Sequence, residues 1–190
     1  MLNSVKKIDV NTVEFIDKYL RCTFLDRVMP IITGIGNGGF VWIFISLYLI
    51  YIGNNGIEGY MVIASLLLAT ILGEGVIKHL IRRSRPFVRI KGKTLLISKP
   101  ITYSFPSGHS SSSFAVAGIF ILMNSSISGY IIVLASLIAF SRLYLNVHYP
   151  TDVLTGIILG LVCSIIIYNI FKISDFEVLD EGIRSIAVFY

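Results

Sequence analysis

Three short stretches hold residue types that could do chemistry together. The first is Lys78 and Arg85-Pro86, two cations with six residues between them. Two cations reaching one point suit a phosphate, and an arginine can offer it a bidentate fork. The second is Pro106-Ser107-Gly108-His109, followed by Ser110 to Ser113 and an apolar run. Pro and Ser open helices, and the free amides there form an anion site at Ser107, Gly108 and His109. Gly108 would let the backbone approach a ligand closely. The third is Ser141-Arg142, His148 and Asp152. His148 and Asp152 share a face if a helix starts near Tyr149-Pro150. An aspartate behind an imidazole fixes its tautomer and leaves the other ring nitrogen free to attack. Each stretch alone has a plainer reading: basic anchors, a helix cap with an incidental histidine, an interfacial histidine before a capping aspartate. Together, three cations, two histidines, an aspartate and a helix start specify phosphoryl transfer, which needs charge stabilisation, an in-line nucleophile and a proton donor.

The elements that must position these residues are membrane helices. The chain has 190 residues, 55% hydrophobic and 14% charged, against about 25% charged in soluble domains. No Asp, Glu, Lys or Arg falls between Arg27 and Glu58, Glu58 and Glu74, Lys99 and Arg142, or Asp152 and Lys172. A helix needs ~20 apolar residues to cross a bilayer. This predicts spans near 31–52, 59–80, 107–124, 129–147 and 151–171, with tight turns at Asn54-Asn55-Gly56 and Asn124-Ser125-Ser126. Residues 8–28 mix apolar and charged side chains as an amphipathic interfacial helix does. The fold class is therefore all-α, a polytopic transmembrane bundle of about five spans plus that N-terminal helix, in one domain over residues 1–190. Five spans put the N-terminus, the loop 81–106 and the turn near 147–150 on one face. The turns 53–58 and 124–128 and the C-terminus fall on the other.

Other features carry less. The net charge of +5 does not indicate nucleic acid, because the basic residues punctuate apolar spans. Cys22 and Cys163 have neither zinc-like spacing nor a disulfide framework. The N-terminus does not read as a secretory signal. Gly34, Gly36 and Gly39 fit a dinucleotide fingerprint but lack its strand, so they read as a helix break or close packing. Gly156-x-x-x-Gly160 reads as a small-residue packing face. Glu74, four before Lys78, is expected to pair with it and make it tolerable in lipid. His79 receives no role, Trp42 reads as an interface or packing residue, and Asp175, Glu177, Asp180 and Glu181 as a solvated polar tail over 173–190. No cofactor is called for.

The patterns K-x6-R-P over Lys78–Pro86, P-S-G-H over Pro106–His109 and S-R-x5-H-x3-D over Ser141–Asp152 resemble the phosphatidic acid phosphatase type 2 superfamily, which includes vanadium haloperoxidases and glucose-6-phosphatase. The likeness covers the core, residues 24–172. It implies that His148 attacks phosphorus and becomes a phosphohistidine, that Asp152 orients it, and that His109 protonates the leaving group and later activates water. It implies that Lys78, Arg85, Ser107, Gly108 and Arg142 hold the phosphoryl oxygens, and that no metal takes part. It also implies six spans where five are counted. The partner would be a lipid phosphate in the membrane: undecaprenyl diphosphate first, with phosphatidylglycerol phosphate and phosphatidate as alternatives. A metal-dependent hydrolase using His109, His148 and Asp152 as ligands and a non-catalytic lipid-binding protein are the competing readings. The family places the site on the outer face of a bacterial inner membrane, whereas the basic residues at that face would put it inside.

Overall fold

The computed structural model describes residues 2–53, 55–90 and 95–187, the side chains of 2, 3, 5 and 174–187 excepted. Asn54, Lys91 and Lys93 of the expected turn and loop, and the end of the acidic tail from 188, lie outside the described residues. Every regular element described is helical, the form in which an apolar chain pairs its own backbone groups. In order these are α1 (Leu2–Phe15), α2 (Thr23–Ile35), α3 (Phe40–Tyr51), α4 (Gly56–Thr70), α5 (Lys78–Ile81), α6 (Pro86–Arg89), α7 (Gly108–Leu122), α8 (Ser128–Tyr144) and α9 (Pro150–Ala187). A π-helical stretch, Ile71–Ile77, joins α4 to α5. By length and composition, the run Gly56–Arg89 and Pro150–Ile173 can each cross a membrane. The pair Thr23–Ile35 and Asn37–Tyr51, bent by 43°, makes up to a third.

The first expected span is thus longer and broken. It begins at Thr23 rather than near 31, and Gly38 and Gly39 interrupt it with φ of +59° and +70°. That backbone region costs glycine little and other residues much, which makes the break legible in the Gly34–Gly39 cluster. The segment 8–28 is likewise two helices. α1 continues as a π-helical turn to Leu20, and α2 starts after Arg21-Cys22. Its faces are assigned unexpectedly: Ile8, Phe15 and Tyr19 are exposed, while Asp9 is buried with Val13 and Ile16. The inward carboxylates are held by specific partners. Asn146 donates to Asp17 (2.8 Å) and Tyr144 to Asp26 (2.7 Å), tying this end of the chain to the end of α8.

α7 and α8 have 15 and 17 residues, short of the ~20 that span a bilayer unaided. α7 is the central helix, with Ser110 to Ser113 and Ala115 to Phe120 all buried. A helix ringed by protein need not match the hydrocarbon thickness by itself. Its contact with α9 is closest at Gly156 and Gly160. A Cβ on Gly156 would come within 2.6 Å of the Ser107 carbonyl, and one on Gly160 within 2.4 Å of the Ser111 carbonyl. The small-residue face therefore brings backbone against backbone, and it lies directly behind the Pro106–His109 segment. Trp42 is fully buried and packs in the core rather than at an interface.

Gly160→Ala is expected to destabilise the protein by ~1–3 kcal/mol, the usual range for overpacking. Gly34→Ala, where a Cβ meets nothing within 4 Å, is expected to be neutral or slightly stabilising. Thermal unfolding in a mild detergent checks the pair, and equal effects at both positions would contradict this packing.

Candidate active site

Four pieces of backbone deliver the site. The wide turn Ile71–Ile77 leads into α5, where Lys78 is buried and ion-pairs with Glu74. Arg82 then takes a left-handed conformation (φ +50°), ends α5 and turns the chain inward. Arg85 follows, with Pro86 opening α6. Its guanidinium is satisfied by neutral acceptors: Nε donates to the Thr102 carbonyl (2.8 Å) and Nη1 to the Val147 carbonyl (2.9 Å). Arg142, near the end of α8, donates to Thr33 Oγ1 on α2. Its Nε is buried and has no partner among the described residues.

His148 stands in the turn between α8 and α9 and is 1% exposed. Its Nδ1 lies 2.7 Å from the Ser104 carbonyl. A carbonyl can only accept, so Nδ1 carries the proton and Nε2 keeps its lone pair. Arg85 Nη1 donates to that Nε2 at 3.1 Å. Burial pushes the imidazole well below the usual histidine range, and Arg85, Arg142 and Lys78 add to the effect. The ring is therefore neutral at neutral pH.

Asp152 was expected against His148. It is 3.8 Å from Nδ1 and makes no hydrogen bond to it. Its carboxylate instead accepts from Ser104 Oγ (2.5 Å), the Tyr149 amide (2.8 Å) and Arg83 (2.5 Å). The aspartate thus holds the residue that holds the histidine. A backbone carbonyl leaves no mark in a sequence, which is why Ser104 was not singled out.

Ser107 caps α7, accepting from the Ser110 amide (3.4 Å) and hydroxyl (2.9 Å), and its own amide donates to the Asp152 carbonyl (3.0 Å). With its side chain fully buried, it supports the site from behind. Gly108 was expected to admit a ligand to the backbone. It admits Glu74: a Cβ at Gly108 would lie 2.0 Å from the Glu74 carboxylate. His109 Nε2 is 2.9 Å from Asn37 Oδ1, in the break between α2 and α3. The glycine cluster thus serves the site, although no sequence signal marked Asn37 or Thr33.

Lys78, Arg85, Gly108, His109, Arg142 and His148 line one cavity of about 450 Å³, shared with Glu74 and the apolar Ile43, Leu66 and Leu67. Ser107 and Asp152 lie behind its wall. His79 is exposed and bonds the Gly75 carbonyl (3.0 Å), away from the cavity. No group of three His, Cys, Asp or Glu side chains among the described residues is arranged to hold a metal ion, so His109, His148 and Asp152 do not make the ligand set considered above. Three cations around a neutral imidazole suit a tetrahedral oxyanion.

Fold and site together define a polytopic membrane protein with a pocket lined by two histidines and three cations at one end of a helix bundle. The chain belongs to the PAP2 superfamily, whose model matches residues 59–175. It is 34% identical over 123 residues to an undecaprenyl-diphosphatase of Sulfolobus acidocaldarius, covering 64% of this chain and 59% of that protein. It is 28% identical over 155 residues to undecaprenyl-diphosphatase BcrC of Bacillus subtilis, covering 80% and 76%. The fold is similar to that of Aquifex aeolicus LpxE, with a TM-score of 0.73 and 26% identity over 85% of this chain and 94% of that one. A PAP2-type phosphatidylglycerolphosphate phosphatase of Bacillus subtilis matches with the same TM-score and identity, over 90% and 87%.

Arg142→Gln should weaken orthovanadate binding about 10–100-fold, the scale of hydrogen bonds to a charged partner. Titration calorimetry measures it, and unchanged affinity would remove Arg142 from the anion site.

Proposed function

We propose that this protein is a membrane phosphatase that hydrolyses a lipid phosphate or diphosphate through a phosphohistidine on His148, without a metal ion. The observation that carries this reading is the committed tautomer. The Ser104 carbonyl accepts a hydrogen bond from Nδ1–H, so the Nε2 lone pair faces a cavity holding three cations, one of which has a buried N–H unpartnered among the described residues. Arg85 now donates to that lone pair, and a phosphoryl oxygen would take the donor over and free the nitrogen.

The steps balance on these residues. His148 Nε2 attacks phosphorus in line, and the bond to the leaving oxygen breaks. His109 gives that oxygen a proton. A water then loses its proton to His109 and attacks phosphorus, and the P–N bond breaks to return His148. Lys78, Arg85, Arg142 and the Gly108 amide hold the equatorial oxygens throughout. Asp152 orients His148 through Ser104, and Ser107 holds the end of α7.

Undecaprenyl diphosphate is the substrate we favour, on the printed activity of two relatives and on the apolar wall of Ile43, Leu66 and Leu67, where a lipid tail can leave the cavity. Phosphatidylglycerol phosphate is the second reading, on the match to that phosphatase. The setting is a bacterial inner membrane with the site on its outer face.

Purified protein should release phosphate from undecaprenyl diphosphate at an unchanged rate in EDTA. His148→Ala should lower kcat by about 10⁶-fold, the scale on which loss of a nucleophile acts, and abolish an acid-labile phosphoenzyme. Activity lost to chelation and restored by one metal, or retained in His148→Ala, would overturn the mechanism. For sidedness, Lys99→Cys in a Cys22→Ser background should react with an impermeant maleimide in intact cells. Reaction only after lysis would place the site in the cytoplasm.

A further inference from the structure

Asp9 is fully buried although it lies on α1, the amphipathic N-terminal helix, far in sequence from every site motif and outside the span matched by the family model. A charge this buried needs partners, and Asp9 has three contacts. Oδ1 accepts from the Thr151 amide (3.1 Å), and Oδ2 accepts from Thr151 Oγ1 (2.7 Å) and Arg83 Nη2 (2.5 Å). Arg83 spends its other arm on Asp152 Oδ1 (2.5 Å) and on Thr151 Oγ1 (2.7 Å). Its guanidinium sits 4.1 Å above the Tyr149 ring, so its plane is fixed. The chain then continues through Asp152, Ser104 Oγ and the Ser104 carbonyl to His148 Nδ1.

We propose that Asp9 is a positioning residue for His148, acting through Arg83, Asp152 and Ser104; this rests on the phosphohistidine reading. The physical reason is charge. Bonding between Nε2 and phosphorus puts positive charge on the imidazole, and a negative charge behind the ring stabilises it. Asp152 alone would be neutralised by Arg83. With Asp9 present, two carboxylates share one guanidinium, and the group behind His148 carries a net charge of −1. Asp9 does not face the phosphate cavity, so it acts on the attack and leaves substrate binding alone. It also makes the docking of α1 a condition of full activity, in a helix whose Ile8 and Phe15 face outward.

Asp9→Asn tests this, because it keeps the shape and an acceptor for the Thr151 amide while removing the charge. Its kcat and its rate of phosphoenzyme formation should fall about tenfold, with KM within about twofold. Arg83→Gln should lower kcat at least as much, and the double variant Asp9→Asn/Arg83→Gln should be no slower than Arg83→Gln alone, since Asp9 acts through Arg83. Glu14→Gln, exposed on the same helix, should retain wild-type kinetics. Should Asp9→Asn not fold, Thr151→Val removes the hydroxyl that links Asp9 Oδ2 to Arg83 Nη1 and loosens their pairing, and a loss of about threefold in kcat alone is expected. The proposal is overturned if Asp9→Asn keeps wild-type kcat, if the two losses multiply in the double variant, or if only the melting temperature drops. His148→Ala in the same assay separates the two claims. If it is inactive while Asp9→Asn is fully active, only the role of Asp9 fails. If it is active, the phosphohistidine reading fails with it.

Discussion

Three cations, Lys78, Arg85 and Arg142, are buried at one end of an apolar bundle, with the Glu74 carboxylate paired to Lys78. Taking a charge out of water costs several kcal/mol, and proteins usually offset this with an ion pair. Here the arginines are given neutral acceptors instead: the Thr102 and Val147 carbonyls for Arg85, the Thr33 hydroxyl for Arg142. Neutral acceptors satisfy the donors without cancelling the charge, so the cavity keeps a positive potential for an anion. Much of the local architecture follows from supplying them. The bend before α3 brings in the end of α2, the left-handed Arg82 turns the chain towards the cavity, and the segment around Thr102 returns over it.

Behind the imidazole the signs reverse. Asp9 and Asp152 lie on the far side of His148 from the cations, with Arg83 between them. The histidine therefore sits at the boundary of a positive and a negative layer. Burial, reinforced by the positive layer, keeps the ring neutral; the Ser104 carbonyl fixes the tautomer, and Asp152 of the negative layer holds Ser104. Removing the Ser104 carbonyl from its place would permit the other tautomer, whose protonated Nε2 has no lone pair to offer.

The sequence was most informative where chemistry requires a particular side chain at a particular spacing. Lys78, Arg85, His109, Arg142 and His148 were all legible and share one cavity. The supports were not. Ser104 acts largely through its carbonyl, Arg83 is hidden in a run with Arg82 and Arg85, and Asp9 reads as one polar residue of an amphipathic helix. Nothing local says which face of that helix turns inward; tertiary pairing with Arg83 and Thr151 decides it. The apolar runs likewise revealed the helices but misjudged their ends. Hydropathy does not register that α7 is wrapped by its neighbours, nor that the bend at Gly38 and Gly39 divides one apolar stretch into two helices.

Glycine at 108 shows how one small residue serves several demands. The Glu74 carboxylate occupies the space a side chain would fill there, at the N-terminal end of α7, where the helix dipole favours negative charge. Glu74 is thus ion-paired to Lys78 and packed against the start of α7. Any larger residue at 108 would expel it and leave Lys78 without its only carboxylate partner among the described residues. An anion entering the cavity meets a carboxylate already placed beside Lys78 and the start of α7. The pairing that makes buried Lys78 tolerable therefore sets the strength of anion that can displace Glu74: a phosphate, with more charge and more oxygens than a carboxylate, competes for these donors better than a monovalent anion does.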